Sequence, residues 1–400
     1  MHLEDSEVGI RIDADFECGS SGEIRKSGEL SYVAAPQPEP IPDWFYQALQ
    51  EHFAGGGVPR EYACHVRVTS SSPEPRRLTL RFVFSETNGK GYMEPPYWIF
   101  RARRWRPLPA AATRFVKEAH VDLEFDIDPQ ETVYVANKPY VGLTQVAEEM
   151  EDLTEIVDFF AVREIGRTAQ DRPLLVLESE EREEKIVVSA TLQPAEPAAR
   201  PVLAVAHWLT DGSALVQRLL ERFQFCFIPM PNPDGTALGK SVTNSLGEVP
   251  MFSFGLEVAG EKAPLETAHL WKYMQELKPT AYMEFHTHYQ DVREHKLNPM
   301  ALEWFPEHMQ ERVQRVDQAL LETNAAWRVT PLDKALPLVD SGKFTNLTKY
   351  FQTLSYCYQI YAISEEATCA HATTAIATLA QALAGPEWLA QREKPRVERG

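Results

Sequence analysis

The sequence has few of the features that would place the chain in a membrane or in an oxidising compartment. Its five cysteines, Cys18, Cys64, Cys226, Cys357 and Cys369, are scattered and odd in number, so a disulfide framework is not expected. No uninterrupted apolar run is long enough to span a bilayer. The acidic start MHLEDSEVGIRID lacks the basic-then-apolar order of a secretory signal. The expected location is therefore the cytoplasm.

Positive charge is also scarce. The 400 residues contain 40 Lys and Arg against 58 Asp and Glu, which gives a net charge of −18 at pH 7. Such a field repels a phosphate backbone, so no nucleic-acid partner is expected. An acidic peptide would need a local basic patch, and one candidate is the run Arg101, Arg103, Arg104 and Arg106 with Arg76 and Arg77 upstream. Because most charge runs are solvated strand edges with paired charges, that interpretation is preferred here.

The first third of the chain has the pattern of strands. Apolar and polar residues alternate over Tyr62–Thr69, Arg77–Phe84 and Ala119–Phe125, the period of a sheet with one buried face. Turn-forming segments separate them at 70–75, at 86–91 and at the proline-rich stretches near 95 and 107. An antiparallel β-sandwich is therefore predicted over residues 1–135.

After Tyr140 the pattern changes to alternating strands and helices. Buried strands are predicted at Ile186–Thr191, Phe225–Met230, Ala281–Phe285 and Tyr356–Ile363. Helical spacing occurs at Leu143–Phe160, 201–222, 264–277 and 305–326. This order predicts an α/β fold over residues 136–390, with a mixed, mostly parallel sheet flanked by helices. The charged, apolar-poor tail 391–400 is expected to be flexible.

Polar motifs follow the predicted strands. Pro229–Gly235 reads PMPNPDG, and its Asn-Pro and Asp-Gly pairs force a tight loop at a strand's carboxyl end, where α/β sheets place their sites. Upstream lie Ile165–Thr168 (IGRT) and Gln193–Glu196 (QPAE), and downstream lies Met283–His288 (MEFHTH). Any one of these alone is best interpreted as an ordinary turn or loop.

In this order and at this spacing the set resembles the zinc metallocarboxypeptidase family. That family carries His-Pro-Gly-Glu before its Asn-Pro-Asp-Gly loop and Asp-Leu-His-Gly-His after it. Phe16–Gly19 and Val133–Tyr140 are similar to the N-terminal sandwich and the junction of its cytosolic branch, so the resemblance covers residues 8–385. It implies a zinc cofactor, hydrolysis of C-terminal peptide bonds, and a peptide or protein C-terminus as the partner.

The resemblance assigns the zinc ligands only in part. Glu196 and His286 match two ligands of the family, whereas Gln193 stands where the first ligand histidine is expected. A glutamine amide oxygen is a weak neutral ligand for zinc, for which imidazole is far better suited. His288 is expected beside the metal site, among substrate-binding candidates that also include Lys240 and Tyr350. A hydrogen-bonded loop pair is the competing interpretation of His286 and His288.

The arginines that the family uses to hold a substrate carboxylate are absent. If Gly239 and Gly247 keep the register, Val242 takes the place of the first arginine, and Met251 and Phe252 take that of an Asn-Arg pair. No arginine occurs between residues 222 and 293. Lys240 is the only cation in the loop, and it lacks the bidentate geometry of an arginine.

The catalytic base is ambiguous. The family pattern Tyr-x-apolar-Glu matches Tyr361–Ser364 with a serine in place of the glutamate. Glu365 follows one residue late, so in a strand it points to the other face unless a bulge re-aims it. Glu366 would lie on the same strand face as position 364, but it comes two residues after that position. Both glutamates remain candidates for the base.

Three hypotheses account for these residues. The first is a degenerate carboxypeptidase that keeps the fold for binding or scaffolding and has reduced or lost catalysis. The second is an active zinc carboxypeptidase or amidohydrolase with an atypical ligand set and altered specificity. The third is a binding module in which the basic run of the sandwich holds a partner protein. The missing family residues are clustered at the zinc-ligand, arginine and base positions, which favours the degenerate carboxypeptidase. The sequence does not indicate an oligomeric state.

Overall fold

A computed structural model of the protein describes residues 1–52, 63–84, 94–117, 119–290, 295–323, 328–329 and 342–390. The predicted turn at 86–91 and the predicted flexible tail 391–400 lie outside the described residues. Among the described helices, none is long and apolar enough to cross a membrane.

The first part of the chain forms two sheets and one helix, α1 (Asp43–His52). Its strands are β1 (His2–Asp5), β2 (Ile10–Asp13), β3 (Glu23–Gly28), β4 (Ser31–Ala35), β5 (His65–Ser70), β6 (Arg76–Val83), β7 (Trp98–Arg101), β8 (Arg104–Pro107), β9 (Thr113–Val116), β10 (His120–Ile127) and β11 (Thr132–Ala136). One sheet has the order β1-β2-β5-β11-β7-β8 and the other β3-β4-β6-β10-β9. All strand pairs in them are antiparallel except β4 with β6.

A shared apolar core holds these two sheets together. On β6 every second side chain is buried, with Leu78, Leu80 and Phe82 facing inward, as the alternating sequence predicts. Val66 and Val68 of β5 contribute from the other sheet to the same core. The predicted sandwich is therefore confirmed in its architecture.

The rest of the chain builds a third sheet. Its strands are β12 (Ala161–Arg167), β13 (Pro173–Glu178), β14 (Glu184–Ala190), β15 (Phe223–Ile228), β16 (Ala281–Thr287), β17 (Lys296–Pro299), β18 (Arg328–Val329) and β19 (Leu354–Ile360). They are ordered β12-β13-β15-β14-β16-β19-β17-β18. The central strands β15, β14, β16 and β19 are parallel to one another, and the pairs outside them are antiparallel except β17 with β18. The predicted α/β fold with a mixed, mostly parallel sheet is confirmed.

Helices accompany this sheet. They are α2 (Leu143–Ile156), α3 (Ala199–Trp208), α4 (Ala214–Arg222), α5 (Pro233–Ala237), α6 (Phe254–Val258), α7 (Leu265–Leu277), α8 (Glu307–Thr323), α9 (Lys343–Phe351), α10 (Glu365–Ala384) and α11 (Pro386–Ala390). Short 3₁₀ turns occupy 110–112, 250–252 and 302–304.

The helical pattern at 201–222 proves to be two helices rather than one. The break falls at Gly212, whose φ of +68° a helix cannot continue. Ser213 then caps α4, because its hydroxyl accepts a hydrogen bond from the Val216 amide at 3.3 Å. After the break, α4 leads directly into β15.

Candidate active site

The candidate site lies at one edge of the third sheet, where three neighbouring strands end. β14 is followed by the Gln193–Glu196 turn, β15 by the Asn232–Gly235 loop, and β16 itself carries His286. Because β14 pairs in parallel with both β15 and β16, the ends of all three meet at one edge. This is the edge at which open α/β sheets place their sites.

The Asn232–Gly235 loop ties together the segments on either side of it. Asn232 caps α5, since its Oδ1 accepts from the Gly235 amide at 3.0 Å. Its Nδ2 donates to the carbonyl oxygens of Leu192, at 3.1 Å, and Thr243, at 3.3 Å. The side chain therefore fixes the segment that leads into Glu196.

Asp234 joins this loop to the upstream IGRT motif. Its fully buried carboxylate accepts from Thr168 Oγ1 at 2.7 Å, from Ser245 Oγ at 2.6 Å and from Arg172 Nη1 at 2.8 Å. Burial opposes its ionisation, but the hydrogen bonds from Ser245, Thr168 and Arg172 hold the pKa of Asp234 below its usual range. Two motifs that are separate turns in the sequence thus share one buried network.

His286 lies between two buried carboxylates. Its Nδ1 is 2.6 Å from Oε2 of Glu196, and its Nε2 is 3.0 Å from Oε1 of Glu284. Each contact needs a proton, because two lone pairs do not face each other at hydrogen-bond distance. Burial alone would lower the pKa of His286, but Cys357, Glu196 and Glu284 hold it well above its ordinary value. The ring is therefore an imidazolium that donates from both nitrogens.

Glu284 is balanced in turn by a buried lysine. Its side chain is 0% exposed, and its Oε2 accepts from the Tyr282 hydroxyl at 2.7 Å and forms an ion pair with Lys343. Burial opposes ionisation here too, but Lys343 and His286 hold the pKa of Glu284 below its usual range. Negative and positive groups alternate from Glu196 through His286 and Glu284 to Lys343.

Glu196 has further buried neighbours. His288 Nδ1 lies 4.0 Å from Oε1 of Glu196, and its ring stacks on that of Tyr361 with centroids 4.6 Å apart. Burial opposes ionisation of Glu196, but His288, His286 and Lys138 lower its pKa to about 2. Burial lowers the pKa of His288 to about 3 and that of Lys138 to about 8. At neutral pH Glu196 is ionised and His288 is a neutral ring.

The described donors do not fit a catalytic zinc, which takes three protein ligands and leaves one position for water. In the described part of the chain, no group of three or more His, Cys, Asp or Glu side chains is placed to hold a metal ion. Both ring nitrogens of His286 are engaged by carboxylates. Gln193 lies half-buried in a turn in which its carbonyl accepts from the Glu196 amide at 3.0 Å.

The positions that the resemblance assigns to arginines are packing positions in this chain. Val242 is buried in the core of the two N-terminal sheets. Met251 belongs to the core of the third sheet, where its sulfur lies 3.9 Å from Thr191 Oγ1. The ring of Phe252 lies 5.3 Å from that of Phe45, on α1. These three side chains bury apolar surface where a substrate clamp would need cations.

A carboxylate from the first part of the chain holds the same loop. Glu39 is 3% exposed, and its Oε1 accepts from the amides of Val242, at 2.8 Å, and Thr243, at 2.6 Å, and from Thr243 Oγ1, at 2.8 Å. Its Oε2 accepts from the Ser241 amide at 2.6 Å. Successive backbone amides that converge on one anion form a nest. The nest orders the loop next to Glu196, because Ser241 also accepts from the Ala195 amide at 3.3 Å.

The two base candidates begin a helix rather than end a strand. β19 ends at Ile360, three residues before the predicted end, and Ser364 caps α10 by accepting from the Ala367 amide at 3.1 Å. Glu365 is half-buried, and burial raises its pKa. Glu366 is exposed on the first turn. The strand-parity argument therefore does not apply to either residue, and their catalytic role stays a prediction.

The predicted substrate-binding residues are spread out. Lys240 is half-buried, and its amide donates to the Gly235 carbonyl at 2.8 Å. Tyr350 is 57% exposed near the end of α9, with its ring edge-on to Trp271. His288 is the candidate that lies beside Glu196, with its Nδ1 4.0 Å from the carboxylate.

The basic run of the sandwich is partly paired. Arg101 Nε lies 2.8 Å from Glu131 Oε1, and Arg77 Nη2 donates to Glu124 at 2.9 Å. Arg104 and Arg106 are exposed on β8, the last strand of its sheet. A role of this run in holding a partner stays a prediction.

Comparisons with known proteins agree with this architecture. A family model described as zinc carboxypeptidase matches residues 146–255, which include most of α2, all of β14, Glu196 and the Asn232–Gly235 loop. Over these residues the chain is similar to zinc carboxypeptidases. No curated protein matches the chain by sequence.

Solved structures extend the similarity of fold beyond residues 146–255. A metallo-carboxypeptidase from Burkholderia cenocepacia matches with a TM-score of 0.75 at 14% identity, over 94% of this chain and 99% of that one. A metallo-carboxypeptidase from Pseudomonas aeruginosa, in complex with (2-guanidinoethylmercapto)succinic acid, matches with a TM-score of 0.70 at 16% identity, over 92% and 98% of the two chains. At such identities the match shows the fold alone, to which the N-terminal sandwich belongs as well.

Three residues of the site escaped the sequence analysis. Glu284 stands at the aspartate of the family's Asp-Leu-His-Gly-His motif, so alignment to that motif could have found it. Glu39 lies within PQPEPIP, where a single acid among prolines is a usable signal of a rigid, ordered segment. Lys343 has no local signal, because its partner is 59 residues away in the sequence.

Proposed function

We propose that this chain is a zinc-carboxypeptidase-fold protein in which catalysis is reduced or lost and a binding or scaffold role is retained. The observation that carries the proposal is the state of His286. Its two ring nitrogens serve two carboxylates, one of them already balanced by Lys343. A histidine committed in this way can bind a metal only by giving up a proton and a hydrogen bond to a carboxylate.

The loop positions support the same proposal. A carboxypeptidase selects the chain end through cations that hold its carboxylate, whereas Val242 and Met251 are buried apolar groups and Phe252 is a partly buried one. Losing one oxyanion donor typically lowers turnover about a hundred- to a thousand-fold. The combined losses leave the fold and its ordered loops as the retained features, and we expect the binding role to concern a peptide or protein C-terminus in the cytoplasm.

The test is the zinc content of the purified protein by elemental analysis, together with hydrolysis of peptides with varied C-termini. His286→Gln is the matched variant, because any cleavage that survives it does not arise at this site. We expect substoichiometric zinc and no cleavage that depends on His286. Stoichiometric zinc with cleavage lost in His286→Gln overturns the proposal.

One contact favours the second candidate function, an active hydrolase with an atypical ligand set. His288 Nδ1 is 4.0 Å from the carboxylate of Glu196, beside His286, so two imidazoles and a carboxylate share one buried location. In that case Gln193 or His288 would be the third ligand, and Glu365 or Glu366 the base. The same zinc and cleavage measurements decide between the two functions.

A further inference from the structure

Lys343 occupies an unusual place for a lysine. It is 1% exposed at the first position of α9, and its ammonium group pairs with Glu284. Three aromatic rings surround the same nitrogen, those of Tyr282 at 4.9 Å and of Phe254 and Phe344 at 5.8 Å each. Ring faces attract a cation but do not replace its hydration fully, so the ion pair with Glu284 is what keeps this charge in the interior.

Buried lysines already balance the two carboxylates around His286. Lys343 pairs with Glu284, and Lys138, which is 2% exposed, helps to lower the pKa of Glu196. A divalent ion at Glu196 and His286 would therefore add positive charge to a dehydrated space in which the two carboxylates already face two lysines. Uncompensated charge is far more costly there than in water.

We propose that Lys343 is the resident cation of this site, taking the electrostatic place of a bound metal ion and thereby keeping zinc out. This inference rests on the proposed function, since it explains why a carboxypeptidase fold can keep Glu196, Glu284 and His286 without a metal. With Lys343 present, Glu284 is neutralised from one side and still accepts the Nε2 proton of His286 from the other.

The inference specifies what removing the lysine does. In Lys343→Met the apolar stem stays among the rings, whereas Glu284 loses its cation. Glu284 then holds the Nε2 proton of His286 alone, the arrangement in which a carboxylate orients a histidine toward a metal. Glu196 and Nδ1 of His286 are then expected to accept a divalent ion, so the variant gains an affinity that the parent chain lacks.

The experiment compares the parent chain, Lys343→Met and the double variant Lys343→Met/Glu284→Gln. Each is dialysed against Zn²⁺, and bound metal is counted by elemental analysis; Co²⁺, whose visible spectrum reports nitrogen and oxygen ligands, is titrated in parallel. We expect Lys343→Met to bind at least about tenfold more zinc per chain than the parent, approaching one ion. The double variant, which has lost the excess negative charge, is expected to bind no more than the parent.

The outcomes separate the inference from the proposed function. Stoichiometric zinc in the parent chain overturns the inference, and it overturns the proposed function as well only if peptide cleavage that depends on His286 accompanies it. A metal-free parent with an equally metal-free Lys343→Met overturns the inference and leaves the proposed function intact. If Lys343→Met does not fold by itself, it is refolded with and without Zn²⁺. Folded protein that is recovered only with Zn²⁺ supports the inference that Lys343 takes the place of a metal ion. If no folded protein is recovered even with Zn²⁺, the inference is refuted.

Discussion

Replacing Glu39 is the sharpest test of how the two parts of the chain cooperate. Its carboxylate is 3% exposed and accepts four hydrogen bonds, three of them from the successive backbone amides of Ser241, Val242 and Thr243. Glu39→Ala leaves those amides buried without an acceptor. Glu39→Gln keeps an oxygen in place of Oε1, but it puts an NH₂ group against the Ser241 amide, so two donors face each other.

The expected loss of stability depends on how many backbone amides are left without an acceptor. A buried donor without a partner costs about 1–3 kcal/mol, and such costs add incompletely because the loop relaxes. Three orphaned amides therefore lower the free energy of unfolding by about 3–5 kcal/mol in Glu39→Ala. Glu39→Gln loses one bond and the charge assistance of the others, so about 1–3 kcal/mol is expected.

The assay is hydrogen exchange of the Ser241–Thr243 amides, with urea unfolding as the global measure. In Glu39→Ala these amides should exchange about a hundred- to a thousand-fold faster than in the parent chain. Glu155→Ala, an exposed glutamate of α2, is the matched control and should change stability by less than about 0.5 kcal/mol. If Glu39→Ala matches this control, or if the three amides keep their protection, the nest does not hold the loop and the reasoning is wrong.

Three further predictions concern single side chains. Burial raises the pKa of Asp317 from 3.8 to about 6, although the Tyr356 hydroxyl donates to it at 2.7 Å, so the folded state binds the proton more tightly than the unfolded chain. The contribution of Asp317 to the free energy of unfolding is greatest below pH 3.8. It decreases as the pH rises to about 6 and does not return at higher pH. Asp317→Asn should therefore gain about 1–3 kcal/mol in urea unfolding at pH 7.5 but less at pH 5, and a gain independent of pH would contradict the assignment. Asp234→Asn should lose about 2–4 kcal/mol in the same assay, because its buried network needs a carboxylate; unchanged stability would show that it does not. Gly239→Ala should lose at least about 2 kcal/mol by thermal and urea unfolding, since φ is +60° and the new Cβ would lie 2.2 Å from the Gly19 carbonyl oxygen; a shift below about 0.5 kcal/mol would rule out that close approach.

Local patterns predicted the strands and the loop well. Leu78, Leu80 and Phe82 alternate inward on β6 because a strand has a period of two, whatever surrounds it. The Asn232–Gly235 loop follows a buried strand and turns sharply, because Asn caps the next helix and Pro suits its first position. Such features depend only on neighbouring residues, so a single sequence contains them.

At the end of β19, the match to a family motif predicted a longer strand than the structure has. Matching Tyr361–Ser364 to a family pattern extended the strand and made Ser364 a missing base. Ser364 instead caps α10, with Glu365 and Glu366 in the first helical turn, where carboxylates favour the positive end of the helix dipole. A serine followed by two acids and a long run of helix formers is a helix start, and that local signal outweighs the motif.

By itself, the sequence determined the order of strands and helices, the turn at Asn232–Gly235, and the lack of arginine around Val242. These follow from periodicity, backbone preference and composition, which act over a few residues. Only the tertiary structure decided which charges meet. Strand register and helix packing bring Lys343 to Glu284 across 59 residues and Glu39 to Val242 across 203 residues. Because the energy of a buried charge depends on what lies within a few ångströms of it, the chemical character of His286 could be settled only in three dimensions.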